Sequence, residues 1–224
     1  MSRQICIRPW TTTIQIGIVG RVGDGGDSTQ AHPVRRIGMT PGARRALAAA
    51  SRLFYERGIH AVGVDLIAAE AGVTKKTLYD RFGSKEQIVV EYLADRDERW
   101  RTYVMERLEA AGPDAVERVR AVFEASREWM DVNSPKGCGM VNAHAEISDP
   151  AHPAYAVITG QKQWMLRLFT DLAPEQARTL MLLHEGAMVA HGLRVFPDPV
   201  GHAREEAVRV VRGRGGGEAT RHAP

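Results

Sequence analysis

From Thr40 onward apolar residues recur every three to four positions, whereas the first 38 residues follow no such spacing. Thr40-Pro41 is a cap followed by a residue suited to a first helical turn. Ala43, Leu47, Ala50, Leu53 and Phe54 then share one face, and Gly58 stops the run. The same spacing predicts helices over about 65–71, 75–82, 84–109, 113–132, 138–147, 152–172, 175–194 and 199–212. Pro and Gly punctuate the gaps at Gly112-Pro113, Ser134-Pro135, Asp149-Pro150, Pro174 and Pro197 to Pro199. The predicted fold class is therefore all-α.

Residues 1–38 are rich in Gly, Thr and Asp and read as a disordered arm, with Met39 a candidate start of translation. "GRVGDGGDST" fits neither G-x-G-x-x-G nor G-x-x-x-x-G-K-[ST], so a phosphate loop is not predicted. The Gly-rich stretch over 213–224 reads as a disordered tail. Between them, residues 39–86 and 87–212 are expected to form an N-terminal helical domain and a helical body.

Composition narrows the class without naming an activity. A chain of 224 residues can bury a core without staples, and its two cysteines, Cys6 and Cys138, lie far apart and outside any C-x-x-C or His/Cys cluster. A reducing cytoplasm fits that usage. No apolar run approaches the roughly 20 residues of a membrane span, and the first residues lack the apolar core of a signal peptide. The net charge of +3 is mild, but residues 40–85 carry eight Lys/Arg against four acids, while residues 101–200 carry ten against thirteen. A basic end on a slightly acidic body suits a binding protein.

In "VDLIAAEAGVTKKTLYDRF" a short helix ends at Gly72 and another starts behind Thr74, a helix-turn-helix pattern. Leu66 or Ile67, Val73 and Leu78 supply the apolar contacts of the corner, Ala68 lets the helices approach, and Phe82 closes it against the first helix. Ser84 and Gln87 make a capping box, so Lys85 opens the next helix. Lys75, Lys76 and Lys85 all stand where the helix dipole disfavours a cation. An external anion is the expected partner, because helix N-termini and lysines bind phosphate together.

"RRALAAASRLFYERGIHAVGVDLIAAEAGVTKKTLYDRFGSKEQI" closely resembles the DNA-binding domain of the tetracycline-repressor (TetR) family, over about residues 42–90. The resemblance implies a homodimeric repressor that leaves a palindromic operator when its helical C-terminal domain binds a small-molecule inducer. It places Thr74, Lys75, Lys76, Thr77 and Tyr79 at recognition-helix positions that meet DNA, and Lys85 at the backbone-holding start of the fourth helix. Gly63 departs from the family pattern, where a Ser or Thr often caps the second helix and touches phosphate. By chemistry, Lys75 and Lys76 suit guanine or phosphate, while Tyr79 and Lys85 suit phosphate.

In "TLMLLHEGAMVAHGL" the stripe Leu180, Leu183, Ala187 and Ala190, with Gly186, resembles the family's dimerisation helix, with "REEAVRVVRG" as its partner in a four-helix interface. Helical spacing alone leaves packing within one subunit equally open. The body's aromatic and Met residues suit an adaptable pocket, with Tyr103, Phe123, His144, Trp164, Met181 and His184 as candidate ligand contacts. Cys138, after Gly137 near a predicted helix start, is a candidate for redox or electrophile sensing. His144/Glu146 and His184/Glu185 lack the i, i+4 spacing of helical metal ligands, so neither metal nor cofactor is expected. No nucleophile elbow, H-E-x-x-H or phosphate loop is present, and an enzyme is not expected. The alternative is a helical enzyme or protein-interaction module in which the helix-turn-helix serves only for packing.

Overall fold

The computed structural model describes residues 36–213; the expectations for the N-terminal arm, for Cys6 and for the tail beyond Gly213 fall outside them. Among the described residues every regular element is a helix: α1 (Pro41–Arg57), α2 (Val64–Ala71), α3 (Lys75–Phe82), α4 (Lys85–Ala110), α5 (Ala115–Asn133), α6 (Gly139–Glu146), α7 (Tyr155–Leu172), α8 (Ala177–Leu193) and α9 (Pro199–Arg212). Their starts follow capping chemistry. The hydroxyls of Thr40, Thr74 and Ser84 accept from the backbone N–H groups of Ala43, Thr77 and Gln87. The fifth helix begins two residues later than its spacing predicts, because the Asp114 carboxylate caps it by accepting from Glu117 N. Pro153 similarly precedes the α7 start, which moves from about 152 to Tyr155.

Two apolar clusters hold these helices. In the first, Ala43, Leu47, Leu53, Phe54, Ile67, Leu78 and Phe82 of α1–α3 meet Ile88, Val89, Tyr92 and Leu93 at the start of α4. Met140, Ala143, Ile147 and Ile158 complete that cluster from α6 to α7. The second joins Trp100, Val104 and Leu108 of α4 to Phe123 and Met130 of α5, Met165 and Phe169 of α7, Leu180 and Met188 of α8, and Ala203 and Ala207 of α9. Thus α4 belongs to both cores, and a shift of this one helix is felt at both ends.

Packing also fixes the chain before α1. Glu91 is fully buried, yet its carboxylate accepts from Arg36 Nε (2.8 Å), Ile37 N (2.8 Å) and Gln87 Nε2 (3.1 Å). A buried carboxylate with three donors is compensated, and removing it would leave Ile37 N without its partner.

Candidate nucleic-acid interface and ligand cavity

The helix-turn-helix forms as its sequence implies. Gly72 adopts a left-handed conformation (φ 62°, ψ 40°) and caps α2, so the chain reverses within three residues before Thr74 starts α3. Leu78 and Phe82 turn inward, leaving Thr74, Lys75, Lys76 and Tyr79 exposed and Thr77 half-buried. Gly63 caps α2 without a side-chain hydrogen bond, in keeping with its departure from the family pattern.

The lysines correct the sequence reading. Lys75 Nζ lies 3.0 Å from Asp65 Oδ2 across the turn, and Lys76 Nζ lies 2.8 Å from Asp80 Oδ2 one turn along α3. Both lysine pKa values are raised, first by the hydrogen bond to the carboxylate and then by its charge. Two of the three cations expected to await an external anion therefore already have intramolecular partners, because an acid occupies the neighbouring turn in each case. These pairs are fully exposed, and solvent screening keeps such bridges weak and exchangeable. Half-buried Lys85 forms no ion pair among the described residues.

The body contains a narrow cavity of about 50 Å³ between α4, α5, α6, α7 and α8. Its walls include Trp100, Trp129, Met130, Met140 and Met188, with Arg96, Asp97, Ser126, Cys138, Gln161, Lys162 and His184 as polar members. Of the six candidate ligand residues, only His184 lines it. Phe123 is wholly buried against Phe169 and His184, and Met181 packs on the same core. Trp164 lies beneath the Arg101 guanidinium, Tyr103 is bound to Glu128 and Arg107, and His144 is exposed beside Tyr155. Residue type alone marks these five as candidates, whereas the cavity's location depends on how helices cross. The cavity's signal in the sequence is a polar residue within an apolar stripe: Asp97 interrupts Leu93–Trp100–Val104 and Gln161 interrupts Ile158–Met165–Leu168. Asp97 Oδ1 and Gln161 Oε1 are buried without a hydrogen-bond partner.

A polar relay crosses the cavity wall. Lys162 Nζ lies 3.3 Å from Cys138 Sγ and 2.7 Å from Glu185 Oε2. Glu185 contacts His184 Nδ1 at 3.3 Å, and His184 Nε2 meets Ser126 Oγ at 3.0 Å. Burial pushes the Glu185 carboxyl up, but the His184 hydrogen bond and the Lys162 charge outweigh it and hold the pKa at about 2. Burial likewise opposes the Lys162 charge, while Cys138 and Glu185 favour it and leave its pKa raised.

The apolar face of α8 also differs from the predicted stripe. Leu180 and Ala187 are buried against the rest of the chain, whereas Leu182 (74% exposed), Gly186, Val189 (47%) and Leu193 (72%) form an open row. Both sides of this helix are apolar, so periodicity could not tell core from surface.

Comparison with known proteins gives this geometry its context. The model of "Bacterial regulatory proteins, tetR family" matches residues 46–92. The chain is 33% identical over 104 residues to the HTH-type transcriptional activator FasR of Mycolicibacterium smegmatis, covering 46% of this chain and 47% of that protein. It is 35% identical over 123 residues to the HTH-type transcriptional regulator LmrA of Bacillus subtilis, covering 54% and 65%. The match thus spans less than two thirds of either curated relative. The solved structure of SCO4454, a TetR-family transcriptional regulator from Streptomyces coelicolor, is 34% identical, with 76% of this chain and 95% of that one covered at a TM-score of 0.69. An exposed recognition-type helix after a left-handed glycine turn, on an all-helical body shared with SCO4454, makes this chain a member of the TetR family of transcriptional regulators.

Proposed function

We propose that the protein is a homodimeric repressor that binds a palindromic operator and is released by a small molecule held in its helical body. The observation that carries this reading is the outward face of α3, with Thr74, Lys75, Lys76, Thr77 and Tyr79 around its first turns and Lys85 opening α4 nearby. Lys75 and Lys76 exchange their exposed carboxylate partners for phosphate or base edges, Tyr79 and Lys85 hold the backbone, and Thr74 and Thr77 approach the groove. The division of labour follows the proposed domains: residues 39–86 read DNA, and residues 87–212 dimerise and bind ligand. A cytoplasmic location suits such a protein, and among the described residues no helix is long and apolar enough to cross a membrane.

One recognition helix reads too few base pairs for genomic specificity, so a second copy is required. The open row Leu182, Gly186, Val189 and Leu193 supports a two-fold contact through α8, with α9 alongside it. Ligand binding shifts α4, which belongs to both cores, and thereby the spacing of the two α3 helices. Such coupling is typically worth about 1–3 kcal/mol.

The test is selection of a palindromic duplex from a random pool, followed by anisotropy titration over a salt series and transcription from a promoter carrying the site. Tight, salt-sensitive binding of two protomers with reduced transcription is expected. Absent or salt-insensitive binding would overturn the reading. Increased transcription would assign activation, the sign in FasR's name.

A further inference from the structure

The recognition-type helix carries one carboxylate among three cations: its charged side chains are Lys75, Lys76, Asp80 and Arg81. Leu78 and Phe82 are buried and mark the inner side of α3. At about 100° per residue, Asp80 lies about 180° from the mean direction of those two, and Lys76 about 140° from it. The crest of the helix is therefore acidic, with a lysine beside it. The two side chains meet at 2.8 Å and stay 58% and 83% exposed, respectively.

Helix stability does not account for this acid. Asp80 stands in the last turn of α3, where the helix dipole disfavours an anion, and Lys76 stands in the first turn, where it disfavours a cation. A lysine four residues before an acid is also the weaker order for such a pair. The contact between them is exposed and screened, so it adds little to the fold. A local cost without a structural return points to use on a ligand.

Docking on DNA treats the two side chains unequally. Lys76 gains an anionic or acceptor partner when it leaves Asp80, whereas the freed carboxylate faces a surface of phosphates. Every duplex bears that repulsion. One feature of the major groove offsets it: the N4 amino group of cytosine, which donates to a carboxylate. The guanine of the same pair sets O6 and N7 side by side for a lysine, so a G·C pair serves Lys76 and Asp80 together. An A·T pair also has an amino donor, but that donor separates its two acceptors and leaves the lysine a poorer contact. We propose that Asp80 is the specificity-determining residue of α3: it repels DNA of arbitrary sequence and accepts from the cytosine of a G·C pair whose guanine Lys76 holds. This role rests on the DNA-binding reading and adds to it a residue that rejects as well as binds.

The experiment selects duplexes from a random pool with the full chain as wild type and as Asp80→Asn. Anisotropy at one salt concentration then gives affinities for the wild-type site, for that site with each selected G·C pair changed in turn to A·T, and for a mixed-sequence duplex. Asp80→Asn is expected to bind the mixed-sequence duplex about tenfold more tightly, since each protomer loses a charge that opposes phosphate. At one half-site position the change to A·T should cost wild type about tenfold, and Asp80→Asn should lose that preference and turn towards adenine, which suits an asparagine. Asp80→Glu keeps the charge and should leave mixed-sequence affinity near that of wild type. The gain from Asp80→Asn should persist in a Lys76→Ala background; its disappearance there would make Asp80 a mere holder of the lysine and overturn direct repulsion. Unchanged mixed-sequence affinity likewise overturns the repulsion, and a retained cytosine preference overturns the base contact, both while wild type still binds its site. Wild type that binds no duplex refutes the DNA-binding reading itself, and the role of Asp80 with it.

Discussion

Gly192→Ala probes the contact through which α8 supports the Lys136–Cys138 segment. Its Cβ would stand 2.7 Å from Gly137 Cα, 2.8 Å from Gly137 N and 2.9 Å from Lys136 C, all backbone atoms that no rotamer change can remove. Overpacking of this kind costs about 1–3 kcal/mol. Alanine recovers at most about 1 kcal/mol of helix propensity over glycine, and less in this last turn of α8. The net expectation is a loss of about 1–2 kcal/mol. Gly160→Ala in mid-α7 is the matched control, since nothing lies within 4 Å of its added Cβ, and it should gain about 0.5–1 kcal/mol. At roughly 2–4 °C per kcal/mol for a chain of this size, thermal melts by circular dichroism at one fixed protein concentration should separate the variants in opposite directions from wild type. A Gly192→Ala melt at or above wild type, with Gly160→Ala raised, would refute the close packing of Gly137 on α8.

The remaining expectations concern charge and association. Lys85→Ala should weaken all duplexes alike and lower the salt slope by about one unit, whereas Lys76→Ala should change base preference in a selection experiment. Glu91→Ala leaves Ile37 N without its carboxylate partner, while exposed Arg36 keeps Glu98, and should cost about 1–3 kcal/mol in urea unfolding. For Glu185, a folded pKa of about 2 against the ordinary 4.5 means its contribution is complete above pH 4.5 and disappears as pH falls towards 2; Glu185→Gln should flatten acid unfolding across that window. Leu182→Glu with Leu193→Glu should shift the protein to monomer in analytical ultracentrifugation while leaving helicity intact.

What the sequence determined by itself were the local features. Thr40, Thr74 and Ser84 cap their helices through bonds spanning three residues, and Gly72 turns left-handed because only its own backbone must permit it. The family motif in residues 42–90 was legible for the same reason: its chemistry is compressed into one contiguous stretch. Tertiary structure alone decided which charges were already paired, since Asp65 reaches Lys75 only once the turn is folded. It also chose which apolar side of α8 faces inward, and it brought Cys138, Gln161, Lys162 and His184 to one cavity from two helices and a loop. Helical periodicity reports that a face is apolar; what covers that face is set by crossings between segments far apart in sequence, which no single segment encodes.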